Sequence, residues 1–524
     1  MILRLDGISL TLEKLDQIAH GKVEVQLASE ALERMVRSRK VVEEVLRAGC
    51  VIYGVNTGFG KLSDVRIPPD DLKALQKNLI LSHACGTGPA LSAPEVRSLL
   101  ALKINALLSG YSGVRPVIAE YLLRLLQNEV LPVIPEKGSV GASGDLAPLA
   151  HMALVLLGEG EAEIKGQRMS GAKALRYMDL PPLQLEAKEG LALLNGTQFM
   201  TAVGALALLQ AETLARSADV VGAMSAEALL CTPVAFDARI QVARGYAGQQ
   251  QSAANLRRLM ANSPIRDSHL HCSRVQDAYS VRCMPQVHGA VRDQLRCLRE
   301  IFTIELNAAT DNPLVFVEDR SVSAKPSPHG GEFGQVGEIL SGGNFHGHPI
   351  STACDFLAIL VTHLANISER RIAALMDPAV SELPAFLVKH SGLNSGFMIT
   401  QVAAASLVAE NKILSHPLSV DSIPTSANKE DYVSMGAGAA IKARNAVRNA
   451  TQVLAIELLA ACQALDLRAP LLPGPATGAV RNLVRQVVPT LVNDRILAND
   501  MAIASQLIAS GDIVHVAESV VGEL

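Results

Sequence analysis

The sequence predicts a mainly α-helical protein, a bundle of long helices with a smaller mixed region at its N-terminal end. Three observations carry that prediction. Hydrophobic residues make up 49% of the chain and aromatic residues only 3%, with no Trp, a composition suited to helices packed on helices through aliphatic side chains. Apolar residues recur at helical spacing over 353–376, 398–414 and 437–467, runs longer than the mean globular helix of about 11–12 residues. Strand-like alternation is confined to short pieces such as Val51–Tyr53 and Leu314–Val317. The 524 residues hold no Pro/Gly/Ser-rich linker and no internal repeat. One continuous unit is therefore expected, with a mixed region over 1–115 and a helical core and C-terminal region over 116–524.

Several boundaries have a local cause. Ser92-Ala93-Pro94-Glu95 has the form of a capping box, and "VRSLLALKINALLSG" carries the helical pattern on to Gly110. Arg115-Pro116 restarts it, "VIAEYLLRLLQNEVLP" places apolar residues at 117, 118, 122, 125 and 126, and Pro132 and Pro135 stop it. Residues 190–211, "GLALLNGTQFMTAVGALALLQA", contain no charge over 22 positions, long enough to span a bilayer. Asn195, Gly196, Thr197, Gln198 and Gln210, the flanking Glu189 and Glu212, and the absence of a second comparable segment favour a helix buried in a bundle.

Charge and cysteine usage exclude other classes. The net charge of -4 arises from well-mixed residues, with no basic stripe or interleaved basic and aromatic positions to grip nucleic acid. Arg4, Asp6, Glu13 and Lys14 interrupt the N-terminal stretch, which lacks the apolar run of a secretory signal, so a cytoplasmic protein is expected. The eight cysteines lack CxxC spacing and are expected to be reduced. His269, His271 and Cys272 in "SHLHC" find no second cluster to complete a zinc shell, so no metal is expected. "GVNTGFGKL", from Gly54, misses the first Gly and the final Ser/Thr of a phosphate-binding loop, and nucleotide binding is not supported.

The stretch "GSVGASGDLAPLAH", from Gly138 to His151, interrupts the helical pattern with an unusually free backbone. Its centre could do chemistry. If the Gly144 nitrogen attacks the Ala142 carbonyl carbon, a five-membered ring closes. Loss of that oxygen as water, and of the Ser143 hydroxyl as a second water, leaves an imidazolinone with an exposed methylene, an electrophile made of backbone alone. The attack needs an unhindered glycine, a small residue on the carbonyl side and a serine between them. A plain loop between helices would meet the same demands, so the triplet alone does not decide.

The surrounding blocks decide. "GSVGASGDLAPLAHMAL" closely resembles the stretch from which the aromatic amino acid ammonia-lyases and aminomutases build 4-methylideneimidazol-5-one (MIO). "VIYGVNTGFGKL" resembles the family's tyrosine loop and "LLNGTQ" its asparagine motif, and "QDAYSVRCMPQVHGA", "ELNAATDNPL", "SGGNFHG" and "GLNSGFM" resemble later blocks, so the likeness runs from about residue 5 to 470. Ser82-His83 in "LILSHACGTG" and Glu430 in "SVDSIPTSANKEDYVSMG" are similar to the histidine-directed members. A carboxylate and a histidine suit an imidazole, whose two ring nitrogens donate or accept, whereas a phenyl ring would leave both unpaired.

The resemblance implies the ammonia-lyase (fumarase/aspartase-like) architecture of long antiparallel helices, with the MIO loop at 138–148. It implies a homotetramer whose active sites are shared between subunits, an amino acid substrate and no external cofactor. The implied reaction is non-oxidative loss of ammonia from L-histidine to give trans-urocanate, as in histidine degradation. Tyrosine ammonia-lyase or aminomutase activity, or an inactive helical scaffold, are the alternatives. Tyr53 is the implied base for the β-proton, although a free phenol ionises near pH ~10 and needs help. Ala142, Ser143 and Gly144 form the ring, and Asn195 and Tyr279 bond its oxygen or the substrate amine. Arg282 takes the substrate carboxylate with its planar fork, and His83, Gln276, Phe345 and Glu430 line the pocket. Lys429, where Gln is usual, Tyr432, where His is usual, and a lengthened segment 319–340 depart from the pattern.

Overall fold

A computed structural model describes residues 1–270, 274–317, 332–334 and 337–524. The described residues are mainly helical, and the strands among them are three or four residues long. Backbone contacts divide the chain into two compact units, Met1–Leu206 with Glu300–Asp355 and Pro417–Ile441, and Ala207–Arg299 with Phe356–His416 and Lys442–Leu524.

The first unit holds the small sheets. Ile2–Leu5 pairs in parallel with Glu24–Leu27, Thr87–Ala90 pairs antiparallel with Pro135–Lys137, and Glu161–Ile164 lies between Val130–Pro132 and Gln167–Ser170. Leu314–Val317, the expected strand, pairs with Gly337–Leu340, whose other edge takes Glu332–Gly334. Residues 319–331, 335 and 336 of the lengthened segment lie outside the described residues, as do His271 and Cys272.

The helices of this unit follow their sequence punctuation. Ser92 and Glu95 form the reciprocal capping box, and the helix runs Ala93–Leu108 with nearly every residue from Ser98 onward buried. Pro116 starts the helix Pro116–Gln127, which buries Ile118, Ala119, Leu122, Leu125 and Leu126. After Pro132 and Pro135, short strands rather than bare loop lead to the glycine-rich stretch.

The second unit is helical. It holds the helix Met398–Leu414 and most of the long helices His348–Met376 and Gly436–Leu467, each within a few residues of its sequence boundary. Two buried ion-pair networks stiffen this unit. Asp219 binds Arg292 at 2.6 Å, His288 at 2.9 Å, Ser252 at 2.6 Å and Asn255 at 2.9 Å. Glu457 takes both Nε and Nη2 of Arg371, at 2.6 and 2.8 Å, with Ser225 at 2.6 Å.

Three sequence expectations need correction. Val51–Tyr53 is not a strand, because Asn56 captures its backbone: its carboxamide accepts from Ile52 N at 2.8 Å and donates to Cys50 O at 2.7 Å. The run 190–211 is not one helix. It breaks between Glu189–Leu194 and Gln198–Ala228, where Gly196 sits at φ +120°. Nor is it the sole long apolar segment, since His348–Met376 and Gly436–Leu467 are each long and apolar enough to cross a membrane, yet their most apolar windows are 72% and 83% buried within the fold.

Candidate active site

Chain reversal at 142–144 begins with backbone geometry. Gly141, Ser143 and Gly144 have φ of +74°, +52° and +79°, a left-handed run that costs the serine about 1 kcal/mol or more and the glycines nothing. Gly144 pairs with Gly196, and Asp145 N donates to Gly196 O at 2.8 Å. A Cβ on Gly144 would fall 2.3 Å from that same oxygen, so no other residue fits. The break at Gly196 thus serves the loop at Gly144, each lacking the side chain that would keep them apart.

This reversal faces a cavity of about 870 Å³ in the first unit. Tyr53, His83, Ser143, Asn195, Phe345 and Glu430, all anticipated from sequence, line it together. Tyr53 is carried on a turn whose flanking Ile52 and Val55 are buried in a cluster with Val41, Val45 and Val315, and its hydroxyl accepts from Gly60 N at 3.4 Å. His83 ends the helix Leu72–His83. Its Nδ1 lies 2.8 Å from Leu79 O, which only accepts, so Nδ1 carries a proton.

Two contacts define the triplet's chemistry. The Asn195 carboxamide donates to Ser143 O at 3.1 Å, the oxygen that would remain on a closed ring. The Ser143 hydroxyl donates to Glu430 Oε1 at 3.0 Å, and Thr425 Oγ1 holds Oε2 at 2.8 Å. Glu430 is presented by a tight turn in which Ser426, Ala427 and Asn428 all have positive φ. Asn195 Oδ1 is buried with no partner among the described residues. An MIO group fits these residues: the attacking residue is a glycine, which has no Cβ to crowd the approach, and the oxygen that would survive on the ring has a donor in Asn195.

The remaining expected residues lie elsewhere. Gln276, Tyr279 and Arg282 belong to the second unit and do not line this cavity. Gln276 is exposed and Tyr279 is 72% exposed. Arg282 stacks on the Tyr279 ring at 4.6 Å, with Nε buried and unpartnered among the described residues. Of the departures, Lys429 lines the cavity beside Glu430, and Tyr432 stacks on His346 with ring centroids 5.9 Å apart.

Sequence reasoning missed two groups behind the wall. Asp145 is fully buried and accepts from Met200 N at 3.0 Å at the start of the helix Gln198–Ala228, while its Oδ1 has no partner among the described residues. Burial pushes its carboxyl up to about 7, against the amides of Met200 and Phe199 that favour the anion. Lys103, 1% exposed, donates from Nζ to Asn195 O at 2.7 Å, and burial pulls its ammonium down to about 8. A lysine alone in "SLLALKINALL" was the available signal.

A sequence profile of the aromatic amino acid lyases matches residues 10–486. The chain belongs to the aromatic amino acid lyase family. Among curated relatives, the histidine ammonia-lyase of Koribacter versatilis is 53% identical over 518 residues, 99% of each chain. Among solved structures, histidine ammonia-lyase from Trypanosoma cruzi superposes with a TM-score of 0.88 at 42% identity, covering 99% of this chain and 96% of that one. Tyrosine aminomutase from Streptomyces globisporus gives 0.90 at 36% identity, covering 100% and 99%. The mainly α lyase fold expected from sequence is therefore the fold of this family member.

Proposed function

We propose that the protein is a histidine ammonia-lyase, converting L-histidine to trans-urocanate and ammonia with an MIO group formed from Ala142, Ser143 and Gly144. The observation that carries this reading is the meeting of Glu430, His83 and Ser143 in one cavity. A carboxylate accepts an imidazole N–H, and a histidine whose Nδ1 donates to the backbone can accept another at Nε2, so the lining suits an imidazole substrate. The name of the curated relative, similar over its full length, supports the same substrate.

The ring, once formed, supplies an electron-accepting methylidene carbon, the former Ser143 Cβ, which offsets the poor leaving ability of the amine. The chain's own groups do the rest. Tyr53 takes the β-proton, and Asn195 places its unpartnered Oδ1 where an ammonium could donate. Arg282 grips the carboxylate and Tyr279 bonds the reacting amine, both brought to the cavity by another subunit of a homotetramer. The exposure of Tyr279, and the exposed apolar residues Met398, Ile399, Val402 and Ile413 along one helix, support such sharing. Free thiols at Cys50, Cys85, Cys231, Cys283, Cys297, Cys354 and Cys462 support a reducing, cytoplasmic setting.

A substrate panel tests the reading. With histidine, tyrosine and phenylalanine offered separately, the ultraviolet absorbance of urocanate should grow with histidine alone. Faster formation of coumarate or cinnamate would reassign the substrate, and β-amino acid products would make the protein an aminomutase.

A further inference from the structure

Lys103 is the only charged residue between Arg97 and the end of its helix. Its Nζ reaches two neutral oxygens, Asn195 O at 2.7 Å and Gln198 Oε1 at 3.5 Å. The neighbouring buried lysine, Lys188, instead meets a carboxylate, Asp311 Oδ2, at 3.0 Å. Asp311 and Asp145 act on the Lys103 charge only through space, without a hydrogen bond to it, and burial outweighs them. An ammonium whose direct partners are carbonyls is therefore costly in a dry interior unless something else needs it there.

What lies beyond those carbonyls is Ser143. Asn195 sits at the break between two helices, its N bonded to Leu191 O at 2.8 Å and its O to Lys103. Both ends of its backbone are thereby fixed, and its carboxamide is aimed at Ser143 O. We infer that Lys103 is a positioning residue for the second of the two dehydrations at 142–144, acting through Asn195.

The inference rests on the proposed MIO group, and its chemistry balances without an oxidant. On closure, Gly144 N bonds to the Ala142 carbonyl carbon, and the Ala142 oxygen leaves as water with the protons of Gly144 N and Ser143 N. The second water takes the Ser143 hydroxyl and the Ser143 Cα proton, leaving a Cα=Cβ double bond. As the Cα proton departs, negative charge builds on Ser143 O. A donor held on that oxygen stabilises the charge, and losing such a donor typically costs about 10²–10³ in rate. Removing the ammonium frees the Asn195 backbone and misaims the carboxamide, so closure proceeds and elimination stalls.

Intact mass of the purified full-length chain reads this directly. The parent and Lys103→Arg, which keeps charge and donor, should each lack two waters, whereas Lys103→Met should lack one and lose at least tenfold in histidine turnover. Lys188→Met, which removes an equally buried charge whose Nζ bonds Asp311 rather than Asn195, should still lack two. If Lys103→Met yields no soluble protein, Lys103→Gln is read in the same way. A Lys103→Met or Lys103→Gln chain lacking both waters overturns the inference. So does one of unmodified mass, which would place Lys103 before closure, or a Lys188→Met chain equally deficient. A parent lacking no water would instead sink the proposed function itself.

Discussion

Two buried carboxylates, Asp145 behind the cavity wall and Asp219 in the second unit, show how differently this chain treats charge. Asp219 has four partners on its two oxygens. Although burial alone would raise its pKa, Arg292 and His288 hold it well below the ordinary carboxylate range. Asp145 has backbone amides on one oxygen, nothing on the other among the described residues, and is pushed up to about 7. Asn195 nearby shares that incompleteness, its Oδ1 buried without a partner among the described residues. A buried charge with every lone pair engaged holds helices together. Incompletely partnered polar groups beside a cavity mark the place where chemistry is done.

Breaking each side should give different kinds of loss. Ser143→Ala, at the cavity, should cut turnover by more than about 10³-fold, as removal of a covalent catalytic group does, while the chain stays folded and lacks one water at most. Tyr53→Phe should cost about 10²–10⁴-fold in kcat with the two-water deficit intact. Asp219→Asn should behave oppositely. Stranding Arg292 should cost about 3–5 kcal/mol of stability in a denaturant titration, with kcat per folded chain and the mass deficit unchanged.

Smaller effects sharpen the contrast. Glu430→Gln should lower kcat/KM for histidine by about 10–100-fold relative to phenylalanine, because a carboxylate suited to an imidazole N–H becomes an amide. The pH dependence of stability should carry opposite signs at the two carboxylates. Asp219, depressed in the fold, contributes stability above the unfolded value near pH ~4 and loses it progressively as pH falls below that. Asp145, raised to about 7, keeps its proton in the fold while the unfolded chain has lost it. Stability should therefore decline as pH rises from about 4 to 7, by up to ~1.4 kcal/mol per pH unit. Asp145→Asn should flatten that component in thermal melts across the same window.

The sequence made the helices legible because their signals are local. The Ser92/Glu95 capping box, Pro116 and the apolar spacing of 398–414 each act within a turn or two, and the helices begin and end accordingly. Val51–Tyr53 misled because alternation says nothing of Asn56, whose side chain takes the backbone bonds a partner strand would supply. The break at Asn195–Thr197 was hidden in an uncharged run, since its cause is Gly144, some fifty residues away and in contact only through the fold. At the site, recognisable blocks gave the residues that face the cavity. Asp145 and Lys103 stand behind it, and their importance depends on burial and on the partners the fold brings or leaves out, which no spacing in the chain reveals.

The intact mass of freshly purified parent protein tests the central claim most directly, because ring formation at 142–144 removes atoms that no fold or packing change can remove. The chain should be lighter than its sequence by two water molecules, with the deficit confined to the peptide that contains Ala142, Ser143 and Gly144. A full, undiminished mass in material that still releases ammonia from histidine would contradict it.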